Sequence, residues 1–169
     1  MRILIVSDSH GLTDELTEIK EHSTGMDKLI HCGDSELQSD HPSLKGFTVV
    51  RGNCDFDHTF PEDHVEDVGG HKVFITHGHR YAVKSTLLNL SLRAKEVGAR
   101  IVCFGHSHYL GAEMIEGILY INPGSIRQPR GRKEKTYVII DVEKNEINLR
   151  VFDIKLGEIN ELSQKFLLT

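Results

Sequence analysis

Short apolar runs that stop abruptly at polar clusters set the pattern of this chain. Ile3-Leu4-Ile5-Val6 runs into Asp8-Ser9-His10, Leu29-Ile30 into Cys32-Gly33-Asp34, and Val49-Val50 into Gly52-Asn53-Cys54-Asp55. Val73-Phe74-Ile75 runs into His77-Gly78-His79, and Ile101-Val102-Cys103-Phe104 into Gly105-His106-Ser107-His108. Runs this short and this rich in β-branched residues predict strands. After the first cluster Leu12, Leu16 and Ile19 recur at helical spacing, with Gly25 as a stop. A second helix is predicted over 85–97, with Leu87, Leu88, Ala94 and Val97 on its apolar face and Gly98 at its C-cap.

The remaining pattern is of hairpins. Residues 64–68 and 72–75 flank Gly69-Gly70, a pair suited to a tight primed turn. Residues 113–115 and 118–121 flank Glu116-Gly117, while 136–142 and 146–154 flank Lys144-Asn145 and alternate with period two. Strands therefore outnumber helices, and several are antiparallel neighbours. A single parallel sheet does not absorb these hairpins, so the fold class predicted is α/β: a four-layer αββα sandwich of two mixed β-sheets flanked by helices. With no repeat, low-complexity tract or linker, 1–169 is predicted to be a single domain without a separate cap.

Composition narrows the setting. At 38% hydrophobic and 27% charged, the chain has neither the profile of a disordered protein nor that of a membrane protein. No apolar stretch approaches the ~20 residues of a membrane-crossing helix, and the apolar start, broken at Asp8, is too short for a signal peptide. Three cysteines (Cys32, Cys54, Cys103) leave an odd thiol in any disulfide scheme, which predicts a reducing, cytoplasmic location. Self-association into a homo-oligomer is left open. A net charge of -5 counts against a general nucleic-acid coat. Arg127, Arg130, Arg132, Lys133 and Lys135 crowd into one stretch, read either as a solvated loop or as a basic rim for an anionic substrate.

The polar clusters carry the chemistry. In an α/β sheet, ligands bind at the carboxyl ends of the strands, and that is where these clusters fall. Asp8 with His10, and His106 with His108, are two apart, so in an extended segment both members of a pair point the same way. Gly33 lets the chain turn sharply into Asp34, and Gly52 is expected to serve Asn53 in the same manner. Imidazole and carboxylate without thiolate select Mn, Fe, Ni, Co or Zn. Two divalent ions bring four positive charges against two from Asp8 and Asp34, a surplus that favours a hydroxide and a phosphate. Each pair alone has a plain explanation as a turn; the five together point to a metal site.

The order Asp8-x-His10, Gly33-Asp34, Gly52-Asn53, His77, Gly105-His106-x-His108 resembles the calcineurin-like metallophosphoesterase superfamily, extended by Asn122-Pro123-Gly124-Ser125. The compact length and Gly-Asn-Cys-Asp resemble its small YfcE/YsnB-type phosphodiesterase branch. The resemblance implies two divalent transition-metal ions, Mn foremost. Asp8, His10, Asp34 and His108 would hold the first; Asp34 would bridge; Asn53, His77 and His106 would complete the second. It implies a phosphodiesterase in which a metal-activated hydroxide attacks a small phosphodiester, with Asn53, Cys54 and His77 as catalytic residues.

One position departs from the pattern. Many superfamily members read Gly-Asn-His after the third strand, and that histidine protonates the leaving group and touches the phosphate. Here the residue is Cys54, which lacks imidazole's pKa and positive charge. Weak dependence on Cys54 and a preference for diesters with good leaving groups are the expectation. The competing functions are a nuclease or nucleotide-pyrophosphate hydrolase on the same metals, and a non-catalytic scaffold, since the retromer complex contains a subunit of similar fold. A scaffold predicts lost ligands, yet all seven positions hold ligand-type residues. Among the rest, His79 is read as facing the cleft or merely turning the chain, and His31 as a packed histidine. Asp55 and Ser125 are read as supports or turn formers, Cys32 and Cys103 as inert core, and His22, His41, His58, His64 and His71 as surface residues.

Overall fold

The computed structural model describes residues 1–168. One sheet is built on β1 (Arg2–Val6), which pairs in parallel with β2 (Lys28–His31), itself parallel to β3 (Phe47–Val49). The second sheet contains β4 (Asp63–Val68), β5 (His71–Thr76), β6 (Ile101–Cys103), β7 (Leu110–Ile115) and β8 (Ile118–Pro123), in the order β4-β5-β6-β8-β7. Its centre, β5-β6-β8, is parallel, with the antiparallel β4 and β7 at the edges. The chain then returns to the first sheet as β9 (Thr136–Glu143), β10 (Glu146–Asp153), β11 (Gly157–Glu158) and β12 (Gln164–Leu167). β9 lies antiparallel against β1, and β10 carries both β11 and β12.

The two helices, α1 (Asp14–His22) and α2 (Leu88–Val97), cover the outer faces, so the predicted αββα sandwich is the fold observed. Successive side chains of a strand point to opposite faces, and β1 is buried on both. Ile3 and Ile5, with Val138 of the same sheet, face Ile75 and Cys103 of the second, while Leu4 and Val6 meet Leu16 and Ile19 of α1. That is why β1 reads as an unbroken apolar run. On the other side, Leu90 and Ala94 of α2 pack on Phe74 and Val102. Each such fully buried side chain contributes about 1.5–3 kcal/mol. β10 buries alternate residues only, which is the period-two signal in its sequence.

The hairpin dipeptides adopt the backbone their residues allow. Gly69 and Gly70 both have positive φ, at 64° and 84°. The second helix begins at Leu88, three residues later than the apolar pattern predicts. Ala82 is left-handed with φ 54° and opens a turn over 82–85, and Thr86 Oγ1 accepts a hydrogen bond from the Leu88 N–H at 3.2 Å where the helix starts. Gly98 ends the helix in a left-handed conformation as expected. The C-terminal strands β11 and β12 lie outside the sequence prediction. Among the described residues no helix is long and apolar enough to cross a membrane.

Candidate metal centre

Parallel pairing aims the carboxyl ends of β1, β2, β3, β5 and β6 at one edge of the sandwich. Strand-like bonds continue past the strands: Asp8 N donates to Gly33 O at 3.0 Å, His10 N to Asp34 O at 3.0 Å, and Gly105 N to His77 O at 3.0 Å. Across the sheets His106 N donates to Asp8 Oδ2 at 3.1 Å. Two trios of predicted ligands result, Asp8 with His10 and His108, and Asp34 with His77 and His106, and a third trio, His10 with Glu36 and Cys54, shares His10 with the first; the atoms of each lie within 4.8 Å of one another. The first two trios touch, His77 Nε2 lying 3.2 Å from Asp34 Oδ2 and 3.9 Å from Asp8 Oδ1. Asn53 Oδ1 is 3.2 Å from His77 Nε2. The structure thus gathers all seven predicted positions into one cluster.

The backbone that delivers them is not the extended segment predicted. Asp8 and His10 have φ 54° and 42°, Asp34 and Glu36 55° and 55°, His106 and His108 67° and 62°. Three left-handed pairs at i and i+2 replace extended chain. Left-handed conformation at a residue with a Cβ stores strain of about 1–3 kcal/mol, and such strain gathers at functional sites. Gly33 has the positive φ expected of it, 92°. Gly52 differs: its φ is ordinary, and glycine is needed because a Cβ there would lie 2.0 Å from Asp34 Oδ1. Its role is room for a carboxylate rather than a turn.

Proton positions follow from the outer partners. His10 Nδ1 faces Glu36 Oε1 at 2.6 Å, His77 Nδ1 faces Cys32 O at 2.7 Å, and His108 Nδ1 faces Gln128 O at 2.8 Å. Carbonyl and carboxylate oxygens only accept, so each Nδ1 carries the hydrogen and each neutral ring turns a bare Nε2 inward. Opposite them Asp8 Oδ2 is taken by Ser7 Oγ at 2.5 Å, while buried Asp8 Oδ1 has no aligned hydrogen bond. His10 Nε2 and His108 Nε2 lie 3.3 Å apart. Lone pairs packed this closely need a positive charge between them. In the metal-free cluster protons supply it: burial opposes, but Asp34 and Asp8 hold the His77 pKa up, and the Asp8 contact raises that of His108. The same imidazoles lower Asp8 and Asp34 against the effect of burial. These residues fit divalent cations.

The sequence profile of the calcineurin-like phosphoesterase superfamily domain matches residues 1–145. The chain belongs to this superfamily. It is 47% identical over 169 residues to the probable metallophosphoesterase YsnB of Bacillus subtilis (strain 168), covering 99% of this chain and 100% of that one. A predicted phosphoesterase of Streptococcus pneumoniae TIGR4 superposes with a TM-score of 0.93 at 34% identity, over 98% of this chain and 97% of that one. Zinc-bound Vps29 of Entamoeba histolytica shares the fold, with a TM-score of 0.81 at 16% identity over 100% of both chains. The protein is accordingly a metallophosphoesterase, a hydrolase that works with divalent metal.

Around the metallophosphoesterase cluster the secondary residues sort themselves. Asp55 accepts from the backbone N–H groups of Asp34, Glu36 and Gly52 at 2.8, 2.7 and 2.7 Å, so it holds the loops carrying Asp34 and Asn53. Ser125 Oγ donates to Asp8 O at 2.8 Å and accepts from Arg127 N and Gln128 N, a turn former tied to the site. Buried His31 is bonded to Ser9 Oγ and Gly33 N, a packed histidine as expected. Burial raises the thiols of Cys32 and Cys103, leaving both inert. His79 does reach the cleft, its ring 5.4 Å from His77 and 6.1 Å from His106. His22 and His58 are exposed, whereas His41, His64 and His71 are half-buried rather than open surface residues.

Cys54 stands exposed at the mouth, its N–H donating to Asp34 Oδ1 at 2.8 Å. Burial and the Asp34 charge push its thiol up to about 11, so it is neutral at physiological pH. The basic stretch does not act as one rim. Arg127 bonds through Nη1 to the His10 carbonyl, whereas Arg132 is paired with Glu134 at 3.4 Å, and Lys133 and Lys135 lie in a separate surface hollow with Asp153. The sequence reading missed Glu36. Its signal was there: Glu36 follows Asp34 by two residues, as His10 follows Asp8.

Proposed function

We propose that this metallophosphoesterase is a phosphodiesterase that hydrolyses small phosphodiesters at a two-metal centre. Asp8, His10, Asp34 and His108 would hold one ion, and Asn53, His77 and His106, with Asp34 shared, would hold the second. The observation that carries this is the three inward Nε2 atoms, fixed from behind by Glu36, Cys32 O and Gln128 O, converging on Asp8 Oδ1, which lies 3.1 Å from His108 Nε2. Mn suits this imidazole and carboxylate set, as do Ni, Fe, Co and Zn. Two divalent cations supply charge to bind a phosphate and make water acidic enough to attack near neutral pH.

The chain's own groups set the substrate class. Asp8 and Asp34 offset two of the four positive charges, leaving a surplus for the phosphate and the attacking oxygen. Arg127, tied to the His10 carbonyl, adds a cation at the rim. Cys54, where a histidine is expected, brings no positive charge to meet the second charge of a monoester, and its raised thiol is a weak acid. A singly charged diester with a good leaving group fits these terms best. One anchored arginine on a chain of net charge -5 favours a small diester over a long polyanion.

A panel of diesters, monoesters and oligonucleotides assayed with Mn, Ni, Zn and Mg tests the reading, with Asp34→Asn as control. Hydrolysis of aryl diesters by the wild type and its loss in Asp34→Asn are expected. Retained hydrolysis in Asp34→Asn overturns the two-metal centre, and equal turnover of oligonucleotides overturns the small-substrate assignment.

A further inference from the structure

A cavity of about 520 Å³ opens on the outer face of the second sheet, beside the loop that carries His106 and His108. Leu87 and Phe104 give it an apolar wall, and Ser107 and Asn122 give it a polar edge. That edge is part of the site's scaffolding: Asn122 Nδ2 donates to Gly105 O at 3.1 Å and to Ser107 Oγ at 2.9 Å. Arg130, also on the cavity, donates its backbone N–H to His108 O at 3.1 Å. Lys84 and Glu113 are the other charged lining residues, and the Lys84 charge helps hold the neighbouring His106 imidazole neutral. Tyr120 lines the cavity too; it is 2% exposed, and its hydroxyl has no hydrogen-bond partner among the described residues.

We propose that this cavity is the subsite for the retained arm of the diester, and that the arm is a flat, hydrogen-bonding ring of nucleoside size. The proposal rests on the phosphodiesterase reading and adds the substrate class to it. Small-molecule sites of a few hundred Å³ combine an apolar lining with a few placed polar groups, as here. The faces of a ring are matched by Leu87 and Phe104, and its polar edge by the Tyr120 hydroxyl, which is costly to leave unpaired. A plain alkyl chain satisfies the wall but not the hydroxyl. In an in-line displacement the leaving arm departs opposite the attacking oxygen, and the retained arm lies to the side. The cavity borders the 106–108 loop through Ser107, and that is where the proposal seats the retained arm.

Gly111 offers a way to fill the cavity. It is exposed in β7, lines the same space, and a Cβ built on it meets nothing within 4 Å. Two esters with a common leaving group are compared, the p-nitrophenyl ester of thymidine monophosphate and methyl p-nitrophenyl phosphate. The metal-loaded wild type is expected to favour the thymidine ester about tenfold in kcat/KM. Gly111→Trp is expected to bring that ratio near one, and Tyr120→Phe to cut it severalfold through KM. Equal kcat/KM in the wild type, or an undiminished preference in Gly111→Trp, overturns the subsite. If neither ester is hydrolysed with any metal, the phosphodiesterase reading fails by itself. Calorimetric binding of the unhydrolysed thymidine ester then decides: binding lost in Gly111→Trp supports the subsite, and no binding, or equal binding by both proteins, overturns it.

Discussion

Glu36 Oε1 lies 2.6 Å from His10 Nδ1, fixing which imidazole nitrogen carries the proton and turning the bare Nε2 toward Asp8. A carboxylate behind a ligating histidine fixes the ring's tautomer and orientation. Glu36 occupies a left-handed position of its own, φ 55°, to make this contact. Glu36→Ala is expected to weaken metal binding by about 10- to 100-fold, read by titration against a competing chelator. The side chain is partly exposed, so folding should survive. An unchanged affinity would mean that the backbone alone holds His10 in place.

Much of this was legible from the chain. The strand ends could be found because β1, β5 and β6 are buried on both faces and so interrupt their apolar runs only where they leave the sheet. Gly69-Gly70 and Gly98 announced themselves by the backbone they permit. Glu36 was hidden because a half-exposed glutamate two past an aspartate looks like a solvated loop until His10 arrives from another strand. The left-handed pairs were hidden as well, since Asp and His at such positions are held by loop-to-loop bonds such as His106 N to Asp8 Oδ2. The strand β12 is short and mostly exposed, and its place against β10 is set by tertiary pairing.

Removing the metals should change how stability depends on pH. In the metal-free protein the pKa values of His77 and His108 are raised, so these residues bind protons more tightly folded than unfolded. Their contribution is full below about pH 6.5 and is lost as pH rises through the raised values. On the proposed centre, bound cations would replace those protons. Chelator-treated protein is therefore expected to lose Tm as pH rises above about 6.5, and Mn-loaded protein to keep it. Parallel Tm curves for the two forms would refute the charge balance described for the cluster.

Cys54→Ala is expected to cost less than about tenfold in kcat on aryl diesters, because a thiol pushed up to about 11 donates protons poorly near neutrality. Cys54→His restores an acid with a pKa near the working range. On alkyl diesters, which need a proton on the departing oxygen, it is expected to raise kcat by about a hundredfold. Steady-state rates of the three proteins on matched aryl and alkyl esters check this. Equal wild-type rates on both ester classes would show that another group, with His79 the nearest candidate, already supplies the proton.

His31 supplies a test of stability apart from catalysis. The Gly33 N–H can only donate, and it points at His31 Nδ1 from 3.1 Å, so the ring's hydrogen sits on Nε2 and reaches Ser9 Oγ at 2.8 Å. Protonating Nδ1 would set two N–H groups against each other in a fully buried place. Burial correspondingly lowers the pKa of this histidine to about 4. A depressed histidine pKa means that the unfolded chain takes up the proton first, so stability is full above about pH 6.5 and drains away as pH falls toward the folded value. Up to roughly 3 kcal/mol rides on this one ring, at about 1.4 kcal/mol per pH unit. His31→Gln keeps an acceptor for Gly33 but does not titrate. Urea unfolding at about pH 7 and about pH 5 should therefore show a smaller loss for the variant than for the wild type. Equal losses would mean that some other group drives the acid sensitivity.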